Sequence, residues 1–319
     1  MARTPTTLAD ARVSWQARLL TRLLPRMVSA GVRDGATPLS DIPALRARTE
    51  RLARPGAIVS HVWGPRVRRH PDAGVAGEWT EPVRASGVSP PGVVLYLHGG
   101  AFAFGSPATH RAVTTSLARL SGLAVLSLDY RLAPEHPFPC ALDDAVHAYR
   151  TLLARGIPPW SIVLAGDSAG GNLALATLVA LRDAKTDLPA CGILFSPWAD
   201  LRHATQRDSG ALPLSQAAMA MATRLYIGDT PEPLASPALA DLHGLPPLQI
   251  HVSDAEAIYR DARALASRLR RAGSAAELSI WHAMPHAWPC FAPFLPEARA
   301  ALRQAATFIR RSTGLASTR

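Results

Sequence analysis

The stretch Ile162-Val163-Leu164-Ala165-Gly166-Asp167-Ser168-Ala169-Gly170-Gly171-Asn172 decides how this chain is read. Its first four residues are a short, continuously apolar, β-prone run. From Asn172 to Ala184 the apolar residues return at helical spacing, so a strand passes directly into a helix. Between the two stands G-x-S-x-G. The glycines let the backbone bend sharply enough to expose the Ser168 hydroxyl at the sheet edge, beside a helix N-terminus, as a serine nucleophile requires. A glycine-rich phosphate loop is the competing reading, but no G-K-[ST] follows and the chain contains no G-x-G-x-x-G.

Outward from this turn the same rhythm repeats. Val93 to Leu97, Ala124 to Leu128, Gly192 to Phe195, Leu248 to Val252 and Leu278 to Trp281 are further apolar runs, and Ala57 to Trp63 and Glu78 to Val83 also read as strands. Continuous apolar strands alternating with helices predict the α/β class, with a mainly parallel sheet covered on both faces. Upstream, Trp15, Leu19, Leu20, Leu23, Leu24 and Met27 recur at the spacing of an amphipathic helix, and a second short helix is expected over Ile42 to Leu52. Leu201 to Pro237 contains no strand: Arg202 to Gly210 is polar and loop-like, and Ser215 to Ile227 is a Met- and Ala-rich helix. An insertion at the C-terminal end of a strand lies where α/β proteins bind ligands. Residues 1–52 and 201–237 are therefore expected to form two halves of a cap over a core built from 53–200 and 238–319.

Composition removes other classes. With 319 residues, 48% of them hydrophobic and 18% charged, the chain is neither disordered nor fibrous. No apolar run approaches the roughly 20 residues of a membrane span. The formal charge of +10 is almost entirely arginine, since Lys185 is the only lysine. Its densest groups, Arg66, Arg68, Arg69 and Arg268, Arg270, Arg271, are too short for a nucleic-acid arm. Cys140, Cys191 and Cys290 form no C-x-x-C and read as apolar fillers in a reducing compartment. Asp10, Arg12, Arg18, Arg22 and Arg26 interrupt any export signal, so a cytoplasmic protein is expected.

A nucleophilic serine needs an oxyanion site, a base and an acid. His98-Gly99-Gly100-Ala101-Phe102 follows a strand, and its consecutive glycines allow backbone N–H groups to approach a developing oxyanion. The expected donors are Gly99, Gly100 and Ala169, with His98 holding the loop by hydrogen bonds. His286, in Met284-Pro285-His286, is the base in the chain order Ser, acid, His that this fold demands. His282 and His286 have the spacing of helical metal ligands, but Pro285 argues against a regular helix and no acidic ligand is adjacent. The acid follows the strand Leu248 to Val252, where Asp254, Glu256 and Asp261 are all available. Asp143 and Asp144 start a helical stretch, where negative charge suits the dipole.

Together with Asp129-Tyr130-Arg131-Leu132-Ala133-Pro134-Glu135-His136-Pro137-Phe138-Pro139 and Ser196-Pro197-Trp198, these motifs resemble the bacterial hormone-sensitive-lipase-like (family IV) esterases of the G-D-S-A-G type. Order and spacing match from about Pro90 to the C-terminus. The resemblance implies an α/β-hydrolase core, a helical cap, no cofactor or metal, and hydrolysis of short-acyl carboxylic esters, with Tyr130 and Glu135 bracing the site. It selects Glu256 as the acid, because the acid precedes a small and then an aliphatic residue, here Ala257 and Ile258, with Asp261 further on. Asp254 is the alternative. The family usually shows H-G-G-G, and Ala101 stands in place of the third glycine. Phe102, Phe104, Trp198, Met219, Trp288 and Phe291 are pocket candidates, ordinary core being the other reading. The expected partner is a small-molecule ester, with no nucleic acid and no membrane span, and a homodimer is left open. An amide or carbamate hydrolase with the same triad is the first alternative, and a non-catalytic ligand-binding protein on the same fold the second.

Overall fold

Five or six apolar residues in a row make a stable strand only where both faces are covered, and that condition organises the molecule. The computed structural model describes residues 6–8, 13–29, 41–63, 67–72, 74–82, 91–202, 216–228, 233–292 and 294–315. In chain order the strands are β1 (Thr6–Leu8), β2 (Val67–Pro71), β3 (Gly77–Pro82), β4 (Val93–Leu97), β5 (Ala124–Leu128), β6 (Ile162–Asp167), β7 (Cys191–Phe195), β8 (Leu248–Ser253) and β9 (Ala276–Trp281). The helices are α1 (Trp15–Ser29), α2 (Ile42–Trp63), α3 (Arg111–Ser121), α4 (Cys140–Ala154), α5 (Ala169–Asp183), α6 (Gln216–Ile227), α7 (Tyr259–Arg271) and α8 (Pro296–Ser312).

All nine strands of the described residues form one sheet in the order β1-β9-β8-β7-β6-β4-β5-β3-β2. Only the pairings of β2 with β3 and of β3 with β5 are antiparallel. Alternation along the strands sends Val93, Leu95 and Leu97 of β4 into one core with residues of α4, α5, α6 and α7. Val94 and Tyr96 enter a second core, on the other face, with α3 and α8. The α/β class read from the alternation, with its mainly parallel sheet covered on both faces, is the observed one. β4 and β6 are neighbours, yet β4 leads on to β5 on one side and β6 to β7 on the other. Strand order reverses there, so a crevice opens outside the C-terminal ends of β4 and β6, where ligands bind in such sheets.

Two expectations are corrected. Ala57 to Trp63 is the last part of α2 rather than a strand, so this helix runs past residue 52 with Pro55 inside it. Short apolar runs fit either state, and a proline exposed on a helix surface leaves its orphaned carbonyl to water. β2 lies in a segment that reads only as a basic group, Arg66, Arg68 and Arg69. α1 is tied to α8 at its N-terminal end. Ser14 binds Glu297 through its N–H (2.7 Å) and its hydroxyl (2.9 Å), and Ala17 is buried beside α8. Trp15, Leu19 and Leu23 face solvent at 69%, 48% and 41% exposure. The other half of the expected cap, α6, packs through Met219, Ala222 and Tyr226 into the core below.

Candidate active site

β6 delivers Ser168 to the crevice in a strained conformation, with φ +54° and ψ −118°, immediately before α5. A non-glycine residue there costs on the order of 1–3 kcal/mol. The turn is held from several sides: Ser168 N–H donates to the Phe195 carbonyl (2.9 Å), and Trp198 and Asn172 N–H donate to the Ser168 carbonyl (both 3.1 Å). Gly170 permits the turn because any Cβ there would fall on the Leu97 carbonyl of β4.

His286 arrives from the loop after β9, anchored by Met284 N–H on Ser253 Oγ (2.9 Å) and by Ala287 N–H on Ser196 Oγ (3.3 Å). Its Nε2 stands 2.8 Å from Ser168 Oγ and its Nδ1 2.6 Å from Glu256 Oε1. The other Glu256 oxygen accepts the Ser253 N–H at 2.7 Å, so the carboxylate cannot swing away. Asp254 meets a different histidine, His282, at 2.7 Å and caps the Ala283 N–H at 2.8 Å. Asp261 lies in the first turn of α7. His282 and His286 thus turn to separate carboxylates and do not converge as metal ligands.

The oxyanion loop corrects the expectation by one residue. Gly99 N–H donates to Asp167 Oδ1 at 3.0 Å and is committed. Among the described residues, the N–H groups of Gly100, Ala101 and Ala169 have no acceptor. Gly100, Ala101 and Phe102 run consecutively at φ +125°, +54° and +60°, so Ala101 occupies a left-handed position that would cost glycine nothing. Phe104 N–H closes the loop on the Gly100 carbonyl (2.8 Å). Behind it, Tyr130 Oη donates to the His98 carbonyl (2.7 Å) while the two rings stack at 4.2 Å. Burial, with His110 alongside, pushes the His98 pKa down to about 3, so its ring is neutral and holds the loop through Nδ1 to the Gly99 carbonyl (2.9 Å).

Arg46 of α2, which the sequence did not single out, ties this loop to its surroundings. It donates to the Ala103 carbonyl (2.8 Å), the Ala133 carbonyl (2.9 Å) and both oxygens of Glu135 (2.8 Å each). Asp144 likewise fixes Arg131, through the backbone N–H (2.9 Å) and the guanidinium. Of the pocket candidates, Phe102, Trp198 and Met219 share one buried cluster with Tyr226, whose ring lies flat on Phe102 at 3.7 Å. Phe104 is half-buried. Trp288 and Phe291 belong instead to the opposite core: the short turn Trp288–Phe291 folds the Trp288 ring inward against Trp281 (5.7 Å). Tyr226 was missed because a tyrosine in a Met- and Ala-rich helix gives no local sign of what it will stack upon.

Donor atoms of His110, Asp167 and Cys290 lie within 4.8 Å of one another, a spacing a metal ion could use. They are instead paired by hydrogen bonds to Asp167, from His110 and from the Cys290 thiol.

Comparison with known proteins supplies the family. A family model for the alpha/beta hydrolase fold matches residues 94–290, a span that includes Ser168, Glu256 and His286. An acetyl-hydrolase of Streptomyces hygroscopicus is 47% identical over 243 residues, covering 74% of this chain and 80% of that one. Among solved structures, an esterase from the bacterial hormone-sensitive lipase family is 38% identical with a TM-score of 0.81, covering 95% of this chain and 100% of that one. The protein EstE5, in a crystal soaked with p-nitrophenyl butyrate, is 35% identical with a TM-score of 0.81, covering 94% of this chain and 99% of that one. A strained serine turn at the switch point of a mostly parallel sheet, joined to relatives of this identity over this length, leads to one assignment: the chain belongs to the alpha/beta hydrolase fold family, among the bacterial hormone-sensitive-lipase-like esterases.

Proposed function

We propose that Ser168, His286 and Glu256 are the catalytic triad of this carboxylic ester hydrolase and that it cleaves short-acyl esters through an acyl-enzyme. The observation that carries the reading is the unbroken chain Glu256 Oε1 to His286 Nδ1 (2.6 Å) and His286 Nε2 to Ser168 Oγ (2.8 Å). Ser168 Oγ attacks the ester carbonyl as His286 takes its proton, and Glu256 holds the imidazole and stabilises its charged form. The N–H groups of Gly100, Ala101 and Ala169 receive the oxyanion, each worth about a hundred- to a thousand-fold in rate. His286 then protonates the leaving alcohol. Water, activated in the same way, releases the acid.

The soak of EstE5 with a butyrate ester supports a short acyl group. Among the described residues no helix is long and apolar enough to cross a membrane. The three cysteines stand free, and this supports a cytoplasmic setting. The test is turnover of a p-nitrophenyl ester series of increasing acyl length by the wild type and Ser168→Ala, beside matched anilides. Activity on short esters that vanishes in the variant is the expected result; retained turnover overturns the triad, and preference for the anilides moves the reading to an amidase.

A further inference from the structure

Beneath the nucleophile lies a set of buried ionisable groups that ester cleavage does not use. Asp167, the residue before Ser168, is enclosed on every side. From β4, Tyr96 Oη donates to its Oδ1 at 2.7 Å; from the loop after β4, Gly99 N–H donates to the same oxygen at 3.0 Å. From the turn before α3, His110 Nε2 stands 3.2 Å from Oδ1, and the Cys290 thiol approaches from the turn before α8. His98, 5.5 Å from the His110 ring, and Tyr130 complete the surroundings. His98 is neutral, so His110 is the cation that faces this carboxylate.

Burial alone would favour the neutral forms of Asp167 and His110. Facing each other, each favours the other's charged form: the carboxyl is held below its ordinary range and the imidazole is raised above its own. His110 is fixed from its other side, with Nδ1 2.8 Å from Thr109 Oγ1 and 3.3 Å from the Ser106 carbonyl.

We propose that the Asp167–His110 ion pair positions the oxyanion loop: the carboxylate grips the Gly99 N–H and so sets the aim of the Gly100 and Ala101 N–H groups relative to Ser168. The proposal rests on the Ser168 hydrolase reading. Asp167 and Ser168 share a peptide bond, so one residue presents the nucleophile and its neighbour fixes the distance to the donors through the Gly99 N–H, which also stands 3.3 Å from His110 Nε2. Gly99 is needed for this approach, since a Cβ there would fall on the Asp167 carboxylate. His110 keeps that carboxylate ionised in a site where it would otherwise protonate and let go. Asp167 is thereby a positioning residue, acting on the reaction through Gly99.

Displacing oxyanion donors by about 1 Å costs roughly a hundred-fold in rate. Asp167→Asn is expected to lower kcat on p-nitrophenyl butyrate by about ten- to a hundred-fold while KM stays within about threefold. His110→Gln leaves the carboxylate buried without its cation, so the acid limb of the kcat profile should move to higher pH by at least about one pH unit. Tyr96→Phe removes one donor only and should move the limb the same way by less. Each variant is checked by circular dichroism and by stoichiometric labelling of Ser168 with a p-nitrophenyl phosphonate. Labelled, folded variants with wild-type kcat and an unmoved acid limb overturn the proposal and leave the hydrolase reading intact. A His110→Gln loss that is equal at every pH also overturns it. If Asp167→Asn and His110→Gln fail to fold, Tyr96→Phe decides, an unmoved limb counting against. A wild type that hydrolyses no ester and takes no phosphonate sinks the underlying reading instead.

Discussion

Two acid–histidine pairs stand at the C-terminal ends of β8 and β9, and their contacts are almost equal in length: 2.6 Å for Glu256 with His286 and 2.7 Å for Asp254 with His282. They differ in what surrounds them. The Glu256 and His286 side chains are 1% and 10% exposed, those of Asp254 and His282 36% and 54%. An exposed pair is screened and contributes at most about 1 kcal/mol, whereas a buried carboxylate acts on its imidazole with little dilution by water. The second oxygen also has a different task in each pair. In Glu256 it is locked by Ser253, which fixes the acid; in Asp254 it caps Ala283, which fixes a turn. The same two residue types thus orient a base in one place and hold a loop in the other. Burial and a third partner, Ser168, make the difference.

The comparison breaks if the exposed pair proves to matter for turnover. His286→Ala should give the largest effect, a fall in kcat of about ten-thousand-fold or more on p-nitrophenyl acetate, because no base remains. Glu256→Gln should follow with about a thousand-fold or more, since the imidazole loses both its orientation and the support for its charge. A buried histidine with no acid sharpens the contrast. His251 lies between Gln249 (3.0 Å) and Trp281 (3.2 Å), and burial pushes its pKa from the ordinary 6.5 down to about 3. The unfolded chain binds this proton first, so the stability it confers is complete above pH 6.5 and is lost as pH falls from 6.5 toward 3. Urea denaturation at pH 7, 6 and 5 should show His251→Gln losing less stability on acidification than wild type, by up to about 1.4 kcal/mol per pH unit. Parallel losses would refute this. Asp254→Asn belongs at the bottom of the scale, with kcat within about threefold of wild type and stability within about 1 kcal/mol. The reverse ranking of Asp254→Asn and Glu256→Gln would transfer the acid to Asp254.

What could be read in advance divides along physical lines. Ser168 was legible because a strand, a sharp turn and a helix must follow one another in eleven consecutive residues, and only small residues permit that turn. His286 was legible from chain order. Choosing between Asp254 and Glu256 needed the resemblance, since both follow the same strand and only their burial separates them. Gly99 was misread as an oxyanion donor because its N–H meets Asp167, 68 residues away, and no local pattern announces that meeting. Trp288 stayed open between pocket and core for a related reason: an aromatic residue two positions from His286 looks like pocket wall until the fold turns it to the other face of the sheet. The strand expected at Ala57 to Trp63 failed on local ambiguity, a short apolar run continuing a helix past a proline.

Arg46 makes the order of the oxyanion loop conditional on a neighbouring segment. One guanidinium joins α2, the Ala103 carbonyl and the Ala133–Glu135 segment, so any fluctuation that lifts α2 leaves two carbonyls and a carboxylate without their partner. Elements held by few buried contacts open locally at a smaller free energy than the whole protein does. Heating should therefore uncouple activity from structure: α2 detaches, the oxyanion loop slackens, and turnover falls at a temperature where the central strands still resist hydrogen exchange. The esterase would then be limited by the docking of one helix rather than by the melting of its sheet.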